Sequence, residues 1–224
     1  MNLQLPDWLP RSNAVNLLAG AFLLTALYAA AQRRVLAAVR AYRYNSIALG
    51  LIALVVAFAT GARHIALAAL LVLATKAFAI PTLLARRVRS SKAGLMSEPL
   101  LGVPGAMLVC GALVVVAFSQ TRALFGSGTS ILASCLPVSV AGTLVGLFVM
   151  VSRRGALMQV VGLVLVENAI FLAAVSLTYG MPLVVEMGVL LDLLVGVALF
   201  GLFVERIEET HGDSDTTRLS SLKG

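Results

Sequence analysis

Residues 156–178 read ALMQVVGLVLVENAIFLAAVSLT, an apolar run with a single ionisable side chain, Glu167, at its middle. About 20 apolar residues in a helix cross the hydrocarbon core of a bilayer. The run therefore predicts a membrane-spanning helix that carries a carboxyl group at the driest depth. Six further stretches have the same character: 14–31, 45–60, 65–85, 101–119, 131–151 and 183–203. The fold class expected is all-α, a polytopic membrane protein of about seven transmembrane helices. The second stretch is short, and the segment 32–44 before it reads either as a helical extension or as an interfacial helix whose arginines and tyrosines suit the headgroup layer.

Composition agrees. The chain is 60% hydrophobic and 12% charged, with a mean hydropathy of +0.99, whereas soluble domains are closer to half apolar and a quarter charged. The formal charge is +7, but the aromatic content is 6% and the basic residues sit in short clusters between apolar runs. Nucleic-acid binding is not expected from this pattern, and the lipid bilayer is the partner it implies.

The placement of those basic residues predicts orientation, because cytoplasmic loops collect Lys and Arg. Arg33, Arg34, Arg40 and Arg43 follow the first span; Arg86, Arg87, Arg89 and Lys92 follow the third. Arg153 and Arg154 follow the fifth, and Arg206, Arg218 and Lys223 lie in the tail. On the other side stand only Arg11, Arg63 and Arg122. The expected topology has the N-terminus outside and the C-terminus cytoplasmic. The N-terminal residues lack a basic region and a small-residue cleavage site, so no removable signal peptide is expected. The stretch 90–104, with Gly94, Pro99, Gly102 and Pro104, reads as a loop dividing the chain. The portions expected are a four-span region over 1–129, a three-span region over 130–207 and a polar cytoplasmic tail over 208–224.

A charged side chain at the bilayer centre costs roughly 2.5–3.5 kcal/mol on insertion scales, and it persists when it pairs, faces water inside a bundle or neutralises. Four residues meet that condition: Lys76, Glu167, Asp192 and, nearer the outer surface, Glu186. One base and three acids at related depths suggest a hydrophilic thread able to pass protons. Glu186 and Asp192 are six apart, so on a helix they point about 120° apart and cannot both face one side chain. Asn168 follows Glu167 and can hold a water or the carboxylate. Pro81, five residues after Lys76, frees backbone groups and can kink the helix beside Thr75-Lys76. The plainer alternative is a static buried pair that fixes helix packing.

Thr75, Ser134, Gln159 and Ser176 are expected to bond between helices. Gly142, Gly146 and Gly162 are expected to permit close helix contact. Cys110 and Cys135 read as packing residues, and His64 and His211 as solvated. No metal site, phosphate loop or nucleophile motif stands in the sequence, so no catalytic residue and no cofactor of its own are assigned to the chain.

The stretch from Arg153-Arg154-Gly155 to Gly196-Val197-Ala198-Leu199 resembles subunit K of bacterial respiratory complex I. Where that family has its first glutamate this chain has Val164, with the acid one turn later at Glu167. The second glutamate falls on Asp192. Over nearly its full length the chain resembles hydrogenase-4 component E, a membrane subunit of complex-I-like hydrogenase and formate hydrogenlyase complexes. The matching patches are Thr75-Lys76 with Pro81, then Glu167-Asn168, then Val185-Glu186-Met187-Gly188 with Asp192, and the tail residues Thr210-His211-Gly212, Asp215, Leu219 and Leu222-Lys223-Gly224.

This resemblance implies a noncatalytic block of a membrane arm in a bacterial or archaeal cell (inner) membrane. Its partners would be antiporter-like membrane subunits, other small membrane subunits and the soluble hydrogenase module. The nickel–iron site and iron–sulfur clusters would lie in partner subunits. Lys76, Glu167, Glu186 and Asp192 would belong to a polar axis carrying protons or another ion. The tail, with His211, Asp215, Leu219, Leu222 and Lys223, would dock on a partner. Two other functions compete: a structural scaffold linking antiporter-like subunits to the redox module, and a cation/proton antiporter subunit.

Overall fold

A computed structural model of the chain describes residues 11–60, 63–90, 100–125 and 135–178. The described residues are helical nearly throughout and contain no strand. In chain order they form α1 (Arg11–Ala31), α2 (Val35–Thr60), α3 (Arg63–Val72), a π-helical segment (Leu73–Ala79), α4 (Ile80–Ser90), α5 (Gly102–Phe125), α6 (Cys135–Ser152) and α7 (Ala156–Thr178). The segments α3, π and α4 run on as one long helix. Among the described residues six spans are thus long and apolar enough to cross a membrane, and they answer to six of the seven stretches of the sequence, all but 183–203. The seventh expected span, with Glu186 and Asp192, and the tail, with its docking residues, lie outside the described residues.

The second span is longer than its hydropathy suggested. Residues 32–44 mostly extend α2 rather than forming a separate interfacial helix. Its alanine-rich first turns, with Ala37, Ala38 and Ala41 buried, give it a packing face that arginines do not interrupt, because Arg40 points outward. Helix α2 is central. It packs against α1, α3, the π segment, α4 and α7, while α6 packs against α1, α5 and α7. Among the described residues α5 is the most exposed span, with Leu108 76% and Val115 68% exposed. Apolar side chains so exposed suit apolar surroundings rather than water.

Helices α6 and α7 meet closely. A methyl group placed on Gly146 would lie 2.9 Å from the Val166 nitrogen, and one on Gly162 would lie 2.8 Å from the Met150 nitrogen. Those contacts are with backbone, so no side-chain movement relieves them. Glycine here lets two helices pack by shape, which is the main source of helix association in lipid.

At one end of the bundle the helix termini are tied together. The Arg153 guanidinium donates to the Ala30 carbonyl at the end of α1, a group left without an intrahelical donor. The Leu100 nitrogen donates to Ser152 at the end of α6, at 3.1 Å. Arg153 is therefore not the solvated loop cation that its place among the basic clusters implied: it is 2% exposed. Burial pushes its guanidinium below the ordinary arginine value. The expected loop over 90–104 is also shorter than read, since α5 takes in Gly102 and Pro104. Gly102 begins the helix at φ +67°, a left-handed conformation that suits glycine. Pro104 falls in the first turn, where its missing N–H costs nothing.

Candidate functional site

The middle of α7 brings Glu167 and Asn168 into the bundle, pointing to different neighbours. Glu167 forms an ion pair with Lys76 on the π segment. The two are 91 residues apart in sequence. Lys76 is completely buried, and its ammonium also stands 5.2 Å from the centre of the Phe171 ring, one turn beyond Glu167 on α7. A cation over an aromatic face gains electrostatically from the ring quadrupole. Both partners of this buried cation thus come from one helix.

The π segment reflects the local sequence. Pro81 has no N–H to donate to the preceding turn, and its ring crowds the carbonyl four residues earlier. The backbone accommodates this by widening between Leu73 and Ala79. Such π turns recur at functional sites, and here the widened turn carries Lys76. Thr75 takes no part in pairing across helices, because its hydroxyl donates to the Leu71 carbonyl of its own helix at 2.7 Å. Ser176 likewise donates to Leu172 and Gln159 to Arg153, both local. The expectation of interhelical bonds fails at these three residues: the two hydroxyls find a carbonyl one turn back, and the Gln159 amide reaches the connection before its own helix. Ser134 lies outside the described residues.

Asn168 faces α2. Its amide nitrogen donates to the Asn45 side-chain oxygen and to the Ser46 hydroxyl, both at 2.9 Å. Asn45 in turn donates to the Phe22 carbonyl at 2.8 Å and to the Thr25 hydroxyl at 3.3 Å on α1. Asn168 therefore joins α7 to α2 and does not hold the Glu167 carboxylate. Tyr42, also on α2, is fully buried and within electrostatic reach of both Glu167 and Ser46. Three atoms in this layer are buried without a hydrogen-bond partner among the described residues: Glu167 Oε2, the Tyr42 hydroxyl and Asn168 Oδ1.

The layer lies at one depth. Glu167 and Asn168 are midway along α7, Asn45 and Ser46 midway along α2, and Lys76 midway between Arg63 and Ser90. Polar groups from α1, α2, the π segment and α7 thus form a sheet-like belt across the bundle centre. Sequence reasoning found Lys76, Glu167 and Asn168 but missed Tyr42, Asn45 and Ser46. The apparent span began at residue 45, which put Asn45 at the membrane edge, where an asparagine is unremarked. The alanine-rich helical run upstream was the signal that moves it to the centre.

Among the described residues no group of histidine, cysteine and carboxylate side chains is placed to hold a metal ion. Cys110 and Cys135 are buried and form no disulfide among the described residues. Pro81 is buried too and borders a pocket with arginines of α2 and α4.

Known proteins bear on this arrangement. The chain is 30% identical over 210 residues to an uncharacterised protein of Mycobacterium tuberculosis, covering 93% of this chain and 96% of that one. It is 28% identical over 215 residues to Hydrogenase-4 component E of Escherichia coli K12, covering 95% of this chain and 99% of that protein. The same identity and coverage hold for Hydrogenase-4 component E of Shigella flexneri. No family model and no solved structure matches the chain. The matches run nearly end to end over both chains: the chain belongs to the hydrogenase-4 component E family.

Proposed function

We propose that this chain is a noncatalytic membrane subunit of a hydrogenase complex, and that its central polar belt is a segment of a proton (or other ion) path through the membrane arm. The carrying observation is the Lys76–Glu167 pair: a buried base and a largely buried acid in contact, with the second carboxylate oxygen unengaged among the described residues. A proton can pass between two such groups, and a carboxylate oxygen with no fixed donor can accept one from a neighbour. The Tyr42 and Ser46 hydroxyls both donate and accept, so they suit a relay. The Asn45 and Asn168 amides suit orientation.

The belt holds a constant depth instead of running from one surface to the other. It supports lateral transfer between neighbouring membrane subunits, with entry and exit elsewhere in the arm. Glu186 and Asp192 are proposed to continue the path, and the tail, with His211, Asp215, Leu219, Leu222 and Lys223, is proposed to dock on a partner. On this reading the partners are antiporter-like and small membrane subunits together with a soluble hydrogenase module that contains the nickel–iron site and iron–sulfur clusters. The complex would sit in the cell (inner) membrane.

One observation favours the scaffold alternative. Lys76 is held on two sides, by Glu167 and by Phe171, as a static packing device would be. Proton uptake decides between the two. Vesicles containing the intact complex are compared for wild type, Glu167→Gln and Asp192→Asn, each checked for assembly. The relay predicts that redox turnover persists or slows while proton movement collapses. Assembled variants that move protons normally make the belt structural and the chain a scaffold.

A further inference from the structure

Between α2 and α4, at the end of the bundle where the basic residues gather, is a pocket of about 310 Å³. Its lining includes three arginines, Arg40, Arg43 and Arg89. Its walls are apolar, from Leu36, Val39 and Pro81. The Arg43 Nε is buried and has no hydrogen-bond partner among the described residues. Arg40 makes only a long contact, 3.4 Å, from its Nε to the Leu36 carbonyl of its own helix.

Nothing described neutralises this cluster. Glu167 is the only carboxylate side chain among the described residues, and it is engaged by Lys76 at mid-depth. Three cations converging on one small pocket repel one another unless an anion sits among them. The geometry also sets the depth. Arg40 and Arg43 lie five and eight residues into the span Val35–Phe58, roughly 8–12 Å from its end at 1.5 Å per residue. Their backbones thus lie below the headgroups, and arginine stems run along apolar surface so that the heads reach up to the boundary between headgroups and acyl chains. A soluble anion or an acidic peptide would have to leave water to reach Arg43. A phosphodiester attached to acyl chains already resides at that level, and basic pockets between spans bind such headgroups. The volume, at the lower end of small-ligand sites of roughly 300–1,000 Å³, admits a headgroup and leaves the tails outside.

We propose that Arg40, Arg43 and Arg89, over the apolar wall of α2 and α4, form a binding site for the phosphate of an anionic phospholipid. The planar guanidinium fork matches phosphate oxygens two at a time, so the three arginines fix the headgroup while the walls hold the first carbons of its chains. Bound there, the lipid joins α2 to α4 on the cytoplasmic end of the π-containing helix.

The test uses the full chain in nanodiscs of phosphatidylcholine, with and without a minor fraction of phosphatidylglycerol. Phosphatidylglycerol retained by the protein is counted by native mass spectrometry, and the melting midpoint is followed in parallel. Arg43→Gln with Arg89→Gln is expected to weaken phosphatidylglycerol binding roughly 30-fold (about 2 kcal/mol at 1.4 kcal/mol per decade), since each basic residue near the surface contributes about 1 kcal/mol. The paired Arg43→Lys, Arg89→Lys variant, which keeps the charge but not the planar fork, is expected to bind between the wild type and the Gln pair, and separates lost affinity from lost folding. Arg34→Gln with Arg86→Gln removes the same charge from exposed positions outside the pocket and is expected to change binding less than about threefold. An equal loss in that control overturns the site in favour of diffuse surface charge. Inorganic phosphate raising the midpoint in pure phosphatidylcholine as far as phosphatidylglycerol does would also overturn it, by making the ligand a free anion. So would a large gain in lipid binding when Glu208, Glu209, Asp213 and Asp215 of the tail are changed to neutral amides, because the pocket's native occupant would then be the tail.

Discussion

Helix α7 has two seams, and they are made of opposite materials. Toward α6 it presents Gly162, close enough to Gly146 that neither tolerates a methyl group without the backbones parting. Toward α2 and the π segment it presents Glu167 and Asn168, which meet a lysine, an asparagine and a serine. In lipid both kinds of seam hold helices together, one by contact area and one by hydrogen bonds. Their costs differ. The dry seam contains nothing that resists burial. The polar seam contains two ions whose desolvation is repaid only while both are present. A bundle that needed only cohesion could have used the glycine seam twice. The polar seam is what a purely packed bundle would not require, and it marks where function is to be sought.

Four sets of substitutions would break or sharpen this contrast. The largest effect is expected at the ion pair. Lys76→Met leaves a buried carboxylate uncompensated and should cost about 3–5 kcal/mol, while Lys76→Met with Glu167→Leu should recover most of the loss. Unfolding in mixed micelles with increasing dodecyl sulfate measures both, and a single variant no worse than the double would mean that the two charges are not coupled. Next comes the tie at the end of α1. Arg153→Met removes a charged donor from the Ala30 carbonyl and should cost about 1.5–3 kcal/mol, against less than about 0.5 kcal/mol for Arg33→Gln at an exposed site. The readout is the thermal midpoint in detergent.

At the dry seam, Gly162→Ala is expected to cost about 1–3 kcal/mol through overpacking. Gly111→Ala, on a face with nothing within 4 Å, should instead gain roughly 0.5–1 kcal/mol from better helix propensity. If both glycines respond alike, the close approach of α6 and α7 is wrong. The smallest effect belongs to the amide bridge. A double-mutant cycle of Asn168→Ala with Asn45→Ala should give a coupling of about 0.6 kcal/mol and no more than about 1.7 kcal/mol, the range found for side-chain hydrogen bonds inside bilayers. A coupling near zero would detach the amides from the belt.

Legibility in the sequence followed distance along the chain. Lys76 and Glu167 stood out because a charge inside an apolar run is conspicuous whatever surrounds it. Asn45 and Ser46 did not, because their importance depends on where α2 begins, and an alanine-rich run with scattered arginines has ambiguous hydropathy. Thr75 was over-read: a hydroxyl beside a buried lysine looks like part of its site until the backbone carbonyl one turn back claims it. Arg153 was under-read, because one more arginine in a basic loop looks like the others.

What the sequence by itself determined is the first six spans, their helical character and the gathering of basic residues into alternate connections. Each of these depends on consecutive residues and on the free energy of moving them between water and lipid, which is local. Only the tertiary structure decided that Lys76 meets Glu167 across 91 positions, that Arg153 closes α1 across 123, and that Asn168 binds Asn45 and Ser46 instead of its neighbouring carboxylate. Hydropathy is nearly blind to such pairings, because lipid accepts any apolar face equally. Which helix lies beside which, and at what register, is settled by close packing and by the few polar groups that bilayer solvent leaves unsatisfied.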